Sequence, residues 1–273
     1  MGERPLKRQW RLIFSEPGPG AWNMALDEAL AETVRAGGSP FLRFYSWEPW
    51  TLSLGRFQNP VDGLSEEARL VPRVRRPTGG GGIWHADELT YSLACSQDDL
   101  DVKGVKPSFE KLCGFLLETW SRLGWKASFA KDVVPDGTEL GVYTPACFAG
   151  HEEYDIMVGG KKLGGNAQRR DRGTIFQHGS LPLSLGWDVL NRLFLPGFQP
   201  DPEKTTDLRS CGWEGSGDEL SVRLAGSFRD RMEIEWTQTD VSAEERERAQ
   251  TLVRERFGDW SWTETGGGSL RGS

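Results

Sequence analysis

Two consecutive glycines, Gly159-Gly160, separate β-like runs at 154–158 and 162–168. A two-residue connection joins antiparallel strands only, because a parallel pair needs a crossover of about a dozen residues or more. The arrangement recurs along the chain. Runs 41–47 and 51–54 meet at Glu48-Pro49, runs 71–75 and 89–95 flank a glycine stretch, and 174–181 follows the glycine hairpin; 10–15 and 232–237 read as further strands. Strands therefore outnumber helices and do not alternate strictly with them. The pattern predicts an α+β fold, a mixed, largely antiparallel sheet flanked by helices, and excludes a doubly wound dinucleotide-binding domain.

Helical periodicity marks 21–36, where Trp22, Leu26, Leu30 and Val34 share a face that Asp27, Glu28 and Glu32 mostly avoid. A second helix has Ser108 as its expected cap, Phe109, Leu112, Phe115, Leu116, Trp120 and Leu123 as its apolar stripe, and Gly124 as its stop. Shorter helices are expected at 187–194 and 219–228. Ser242 and Glu245 form a capping-box pair that opens a last helix running to Phe257. With 12 Trp and 13 Phe the chain has material for one sizeable core. The division expected is a catalytic domain over 1–238, a helical extension over 239–262 and a disordered tail over 263–273.

Net charge excludes some functions. With 33 basic against 40 acidic residues the balance is −7, which argues against a nucleic-acid partner held by phosphate neutralisation. No run approaches the roughly 20 apolar residues of a membrane span, and the first eight residues lack the apolar core of a secretory signal, so a cytoplasmic location without a membrane partner is expected. Cys95, Cys113, Cys147 and Cys211 form no metal-type or disulfide-type spacing, and no metal site is expected.

Chemistry concentrates in three places. In Arg75-Arg76-Pro77-Thr78-Gly79-Gly80-Gly81-Gly82-Ile83-Trp84-His85, bare backbone can approach an anion beside two guanidinium groups, of which strand alternation turns only one inward; a plain hairpin loop is the competing reading. In Lys162-Leu163-Gly164-Gly165-Asn166-Ala167-Gln168, a lysine precedes small residues that permit close ligand approach, against the reading that Lys161 and Lys162 are solvated hairpin charges. Cys147 sits in an irregular segment, where reactive groups are more often presented than in a periodic one. His85 and His178 are open between ligand contact and satisfied core imidazole, and His151, four residues after Cys147, is not paired with it on spacing alone.

Six stretches in order carry a resemblance: 23–29 (NMALDEA), 42–47 (LRFYSW), 53–58 (SLGRFQ), 75–92, 162–169 (KLGGNAQR) and 177–180 (QHGS). Together they resemble the biotin/lipoate protein ligase superfamily, in particular its lipoate–protein ligases and cysteine-dependent octanoyltransferases. The resemblance implies a catalytic domain of that fold, with Cys147 and Lys162 catalytic and with Arg75, Gly79, Gly80, Gly81, Gly82, Ile83, His85, Gly165, Asn166, Ala167 and His178 around the acyl or acyl-adenylate site. Cys147-Phe148 looks like the Cys-Phe segment that forms an acyl-thioester, where a neighbouring lysine favours the thiolate.

The implied activity attaches an octanoyl or lipoyl group to one lysine of a lipoyl-carrier domain. The preferred donor is octanoyl-acyl carrier protein through a Cys147 thioester, without a cofactor. The alternative is an ATP- and Mg²⁺-dependent lipoate–protein ligase working through a lipoyl-adenylate. Gly81 departs from the arginine of many transferases, Ala86 from the usual aspartate, and no large C-terminal accessory domain is expected after Phe257. Nine cations (Arg69, Arg73, Arg75, Arg76, Lys161, Lys162, Arg169, Arg170 and Arg172) are expected to form a basic rim suited to acidic carriers. A non-catalytic carrier- or RNA-binding module using the same rim is the alternative from another class, and a monomer is expected.

Overall fold

A computed structural model describes residues 9–135 and 139–266. Its elements in chain order are β1 (Trp10–Phe14), α1 (Gly20–Arg35), β2 (Phe41–Tyr45), β3 (Thr51–Leu54), β4 (Arg73–Arg75), β5 (Ile83–His85), β6 (Asp87–Ser96), α2 (Val105–Arg122) and β7 (Ala127–Phe129). There follow α3 (Ala130–Val133), β8 (Ile156–Val158), β9 (Lys161–Asp171), β10 (Thr174–Ser184), α4 (Trp187–Leu193), α5 (Gly217–Met232), β11 (Trp236–Gln238), α6 (Ala243–Leu252) and α7 (Trp260–Thr265).

An 8-stranded sheet runs in the order β11-β1-β2-β6-β10-β9-β8-β7. Its β11–β1 and β1–β2 pairs are parallel and the rest antiparallel. This is the mixed, largely antiparallel α+β arrangement that the hairpin spacing predicts. Gly159 and Gly160 both take left-handed φ, +58° and +80°, the backbone a tight β8–β9 turn needs. A 3-stranded sheet, β4-β3-β5, packs beside the first.

Alternation along the central strands builds two cores. Leu89, Tyr91, Leu93 and Cys95 of β6 join α2 and α5 on one face, while Ala94 faces α1 with Phe41 and Tyr45 of β2. A third cluster under the small sheet includes Phe148, Leu190 and Phe194.

Burial explains where the helices differ from their sequence pattern. Helix α1 lies between the sheet and α6, so Asp27 and Glu28 are buried rather than solvated. Asp27 is compensated by Arg43 Nη1 at 2.7 Å, the Tyr45 hydroxyl at 2.8 Å and the Ser92 hydroxyl at 2.7 Å. Ser108 does not cap α2: the helix begins three residues earlier, and the Ser108 hydroxyl donates to the Gly104 carbonyl. The strand expected from Met232 shortens to Trp236–Gln238, because buried Met232 completes α5 and Glu233 turns left-handed at φ +51°.

The C-terminal segment is packed against the domain. Helix α6 lies along α1 and opens with the Ser242/Glu245 box, both hydrogen bonds being present. Thr263, Glu264 and Thr265 belong to α7, inside the stretch expected to be disordered; 267–273 lie outside the described residues. Among the described residues no helix is long and apolar enough to cross a membrane.

Candidate active site

Where the two sheets meet, a cavity of about 640 Å³ opens between the glycine loop, the segment carrying Cys147, and the middle of β9 and β10. Backbone pairing fixes this junction. Gly82 N–H donates to the Pro145 carbonyl at 2.6 Å, and Cys147 N–H donates to the Gly82 carbonyl at 2.9 Å, so backbone pairing ties the loop to the cysteine segment. The approach is close enough to require glycine at 81, where a Cβ would lie 2.1 Å from the Thr144 carbonyl oxygen. That contact gives a physical reason for the departure from arginine. Gly79, Gly80 and Gly81 line the cavity, and their N–H groups meet no acceptor among the described residues. They are free to face a negatively charged oxygen.

Lys162 is fully buried, contrary to the solvated-hairpin reading. Its Nζ donates to the carbonyls of Cys147 at 2.7 Å and Gly150 at 2.9 Å, and forms an ion pair with Asp155 Oδ2 at 2.6 Å. Burial works against the ammonium charge, but Asp155 and then Cys147 outweigh it and hold the lysine above its ordinary pKa. Lys162 is therefore a fixed cation at neutral pH. Gly165, three residues further along β9, keeps side chains apart: a Cβ there would sit 3.4 Å from Cys147 Sγ, 3.4 Å from Asp155 Oδ1 and 3.7 Å from Lys162 Cε. Cys147 is partly exposed, whereas Cys95 and Cys113 are buried in the core, where desolvation pushes both thiols up, Cys113 to about 12.

The inward arginine is Arg76. Arg75, expected at the acyl site, does not reach the cavity; its guanidinium donates to carbonyls of Gly55 at 2.6 Å, Gln58 at 2.7 Å, Thr263 at 2.8 Å and Glu264 at 3.1 Å. Arg76 lines the cavity and binds the carbonyls of Gly79 at 2.8 Å and Gly81 at 2.7 Å through Nη2, with Nη1 on Ser53 Oγ at 3.1 Å. Desolvation lowers it to about 10, with Cys147 opposing that shift, so it too stays charged at neutral pH.

Two of the histidines on the cavity wall, His85 and His178, are structurally engaged. His85 Nδ1 donates to Glu88 Oε1 at 2.7 Å, its Nε2 lies 2.7 Å from Ser53 Oγ, and its ring stacks on Trp47 at 3.8 Å. Although burial opposes it, His85 together with the Ser180 and Thr90 hydroxyls holds Glu88 below the usual carboxylate range. His178 Nε2 is 2.6 Å from Thr78 Oγ1, and burial followed by Arg76 pushes its pKa well below that of a free imidazole. Ile83, Gly165, Asn166 and Ala167 line the cavity; Gly82 packs beside the Phe194 ring instead. His151 also reaches the wall.

The nine cations do not form one rim. Arg75, Arg76 and Lys162 are buried, Arg73 pairs with Glu264 at 2.9 Å, and Arg169 pairs with Glu28 at 2.8 Å. Ser53 and Glu88 lie within the stretches 53–58 and 75–92 but are not singled out by the sequence, and Asp155 lies in no motif. The signal for Asp155 was indirect: a lysine assigned to a buried site needs a counter-charge, and the nearest preceding acids are Glu152, Glu153 and Asp155.

Comparison with known proteins shows the family. The family model described as the lipoyl protein ligase A/B catalytic domain matches residues 19–212. An octanoyltransferase LipM of Kyrpidia tusciae is 34% identical over 271 residues, covering 93% of this chain and 98% of that protein. The octanoyltransferase LipM of Geobacillus kaustophilus is 40% identical over 200 residues, covering 69% and 70%. A putative lipoate protein ligase of T. acidophilum, solved with bound lipoic acid, shares the fold at TM-score 0.77 and 23% identity, covering 94% of this chain and 99% of that one. A lipoate-protein ligase A bound with ATP does so at TM-score 0.79 and 22% identity, covering 94% and 99%. The match over most of the chain, with relatives above 30% identity along nearly their whole length, shows that this protein is an enzyme belonging to the lipoyl protein ligase A/B catalytic-domain family.

Proposed function

We propose that the enzyme transfers an octanoyl group from acyl carrier protein to the side-chain amine of one lysine on a lipoyl-carrier domain, through a thioester on Cys147. The observation that carries this reading is the convergence of Cys147 Sγ and the buried Lys162 side chain around Gly165, where no side chain stands between them. The relatives named octanoyltransferase support the choice of acyl group.

The chemistry proceeds in two displacements. Cys147 sulfur attacks the carbonyl carbon of the carrier-bound octanoyl thioester, a C–S bond forms, and the carbonyl oxygen becomes negative. The free amides of the glycine loop are the donors available to that oxygen, while Lys162, whose three N–H groups are taken by Cys147, Gly150 and Asp155, and Arg76 contribute fixed positive charge beside it. Collapse breaks the bond to the carrier sulfur, which departs as a thiol carrying the proton that the Cys147 thiol gives up. The acceptor amine then attacks the Cys147 thioester, forming the amide and releasing the cysteine. Because the donor is already a thioester, neither step calls for a nucleotide or a metal.

The unpartnered amides of Gly79–Gly81 would also suit the phosphate of an acyl-adenylate. On that reading ATP with Mg²⁺ supplies activation of a free acid, the loop and Arg76 hold the phosphate, and Cys147 is structural. A transfer assay separates the two. Octanoylation of a lipoyl domain from octanoyl-acyl carrier protein, without nucleotide and abolished by Cys147→Ser, supports the thioester route. Transfer that needs ATP and free acid, and survives Cys147→Ser, establishes the adenylate route instead.

A further inference from the structure

Asp155 has one oxygen accounted for and one not. Its side chain is 1% exposed and Oδ2 is held by Lys162 at 2.6 Å. Oδ1 is buried with no hydrogen-bond partner. A buried carboxylate oxygen without a donor is costly, and its persistence calls for an explanation in the site itself. The direction of Oδ1 supplies one. Oδ1 and Cys147 Sγ flank Gly165 at equal distance, each 3.4 Å from where a side chain there would begin, and both residues line the cavity, so a group bound at the cysteine lies beside the carboxylate.

Resting on the thioester reading above, we propose that Asp155 is a further catalytic residue, the base that carries the proton from the attacking lysine amine to the departing cysteine sulfur. The acceptor enters as a neutral amine. As its nitrogen bonds to the thioester carbon it gains positive charge, and its proton becomes acidic enough for Oδ1 to take. The tetrahedral adduct collapses with the C–S bond breaking, and the proton passes from Oδ1 to Cys147 Sγ. Atoms and charge balance: thioester and amine become amide and thiol, and Asp155 ends as it began. Lys162 and the Glu152 N–H, at 2.7 Å, together hold Oδ2 and thereby aim Oδ1, while the Lys162 proton stays in place throughout. A lysine acting instead as the base would first have to give up a proton that Asp155 and Cys147 help it retain.

The test is a single-turnover comparison. Enzyme preloaded with octanoyl from octanoyl-acyl carrier protein is mixed either with the lipoyl domain or with hydroxylamine, a nucleophile that is already neutral and far less dependent on a base. Asp155→Asn is expected to slow transfer to the lipoyl domain by about 10²-fold or more, while leaving the hydroxylamine rate close to wild type; Asp155→Glu is expected to recover part of the loss. Equal slowing of both nucleophiles marks a structural role and overturns the assignment, as does transfer to lysine at the wild-type rate. If asparagine prevents folding, Asp155→Ser carries the same comparison. Wild-type enzyme supplies a second readout: a normal solvent deuterium isotope effect is expected for the lysine reaction and not for hydroxylamine, and its absence from the lysine reaction also overturns the inference. Wild-type enzyme that takes up no octanoyl at all defeats the thioester reading, and this inference with it.

Discussion

Arg75 and Arg76 are neighbours in sequence and point to opposite sides of the small sheet: the first binds carbonyls of α7, the second binds carbonyls of the glycine loop. The α7 contact is reciprocal. Trp262 Nε1 donates back to the Arg75 carbonyl at 3.1 Å, and the Trp262 ring lies under Arg56 at 4.1 Å and Arg256 at 3.9 Å. The C-terminal helix thus braces the strand that positions the cavity arginine.

Substitutions at the two positions should separate stability from activity. Arg75→Ala strands buried carbonyls and is expected to lower unfolding free energy by roughly 3 kcal/mol in urea titrations, with modest change in kcat under conditions where the variant is folded. Arg76→Lys keeps the charge but loses the two-pronged grip on Gly79 and Gly81. It is expected to cost about tenfold or more in kcat with stability within about 1 kcal/mol.

Gly165 tests the geometry of the reacting point. All contacts of an added methyl lie at 3.4 Å or beyond, ordinary van der Waals distances, so Gly165→Ala should fold with stability within about 1 kcal/mol of wild type. The methyl would project between Cys147 Sγ and Asp155 Oδ1 and crowd the place where the acyl group is proposed to react. Octanoyl transfer should fall by about 10²-fold, measured as single-turnover rate.

Thiol chemistry should single out one cysteine. Cys95 and Cys113 are 0% exposed and their thiols are pushed up by burial, and Cys211 is raised as well. Limited alkylation followed by peptide mapping is expected to label Cys147 first, and preincubation with octanoyl-acyl carrier protein to protect it.

Stability should fall on mild acidification because of His178. The folded protein keeps this imidazole neutral, its pKa pushed well below 6.5 by burial, while the unfolded chain protonates it near 6.5. The unfolded state then binds more protons, so stability is full above about pH 6.5 and declines by up to about 1.4 kcal/mol per pH unit below it. Glu88 acts in the same sense at lower pH, since its depressed pKa stabilises the fold above about pH 4.5 and that contribution is lost below it. Urea titrations at pH 7.5 and 5.5 should show the decline, and His178→Asn should reduce it.

The sequence carried the sheet more fully than the site. The Gly159-Gly160 turn and the Ser242/Glu245 box are local devices whose chemistry needs no partner, and both occur as the residues dictate. Asp27 is different: its burial follows from Arg43, Tyr45 and Ser92, contributed by two other elements, which periodicity within one helix does not register. The Arg75/Arg76 pair shows the same boundary. Alternation says that one faces inward, but which one depends on α7 arriving from nearly 190 residues away, with Trp262 Nε1 bonded to Arg75 across a separation of 187. Lys162 and Cys147 were singled out by residue type and neighbourhood, whereas Asp155 emerged only once the backbone brought its second oxygen to face the same point.

The central claim is that the acyl group passes through Cys147, and intact-mass measurement tests it most directly. Enzyme incubated with octanoyl-acyl carrier protein and no nucleotide should gain the mass of one octanoyl group. The adduct should map to the peptide containing Cys147, be released by hydroxylamine, and be absent from Cys147→Ser. An unmodified wild-type enzyme that nevertheless octanoylates the lipoyl domain, or an adduct that persists in Cys147→Ser, would contradict the account.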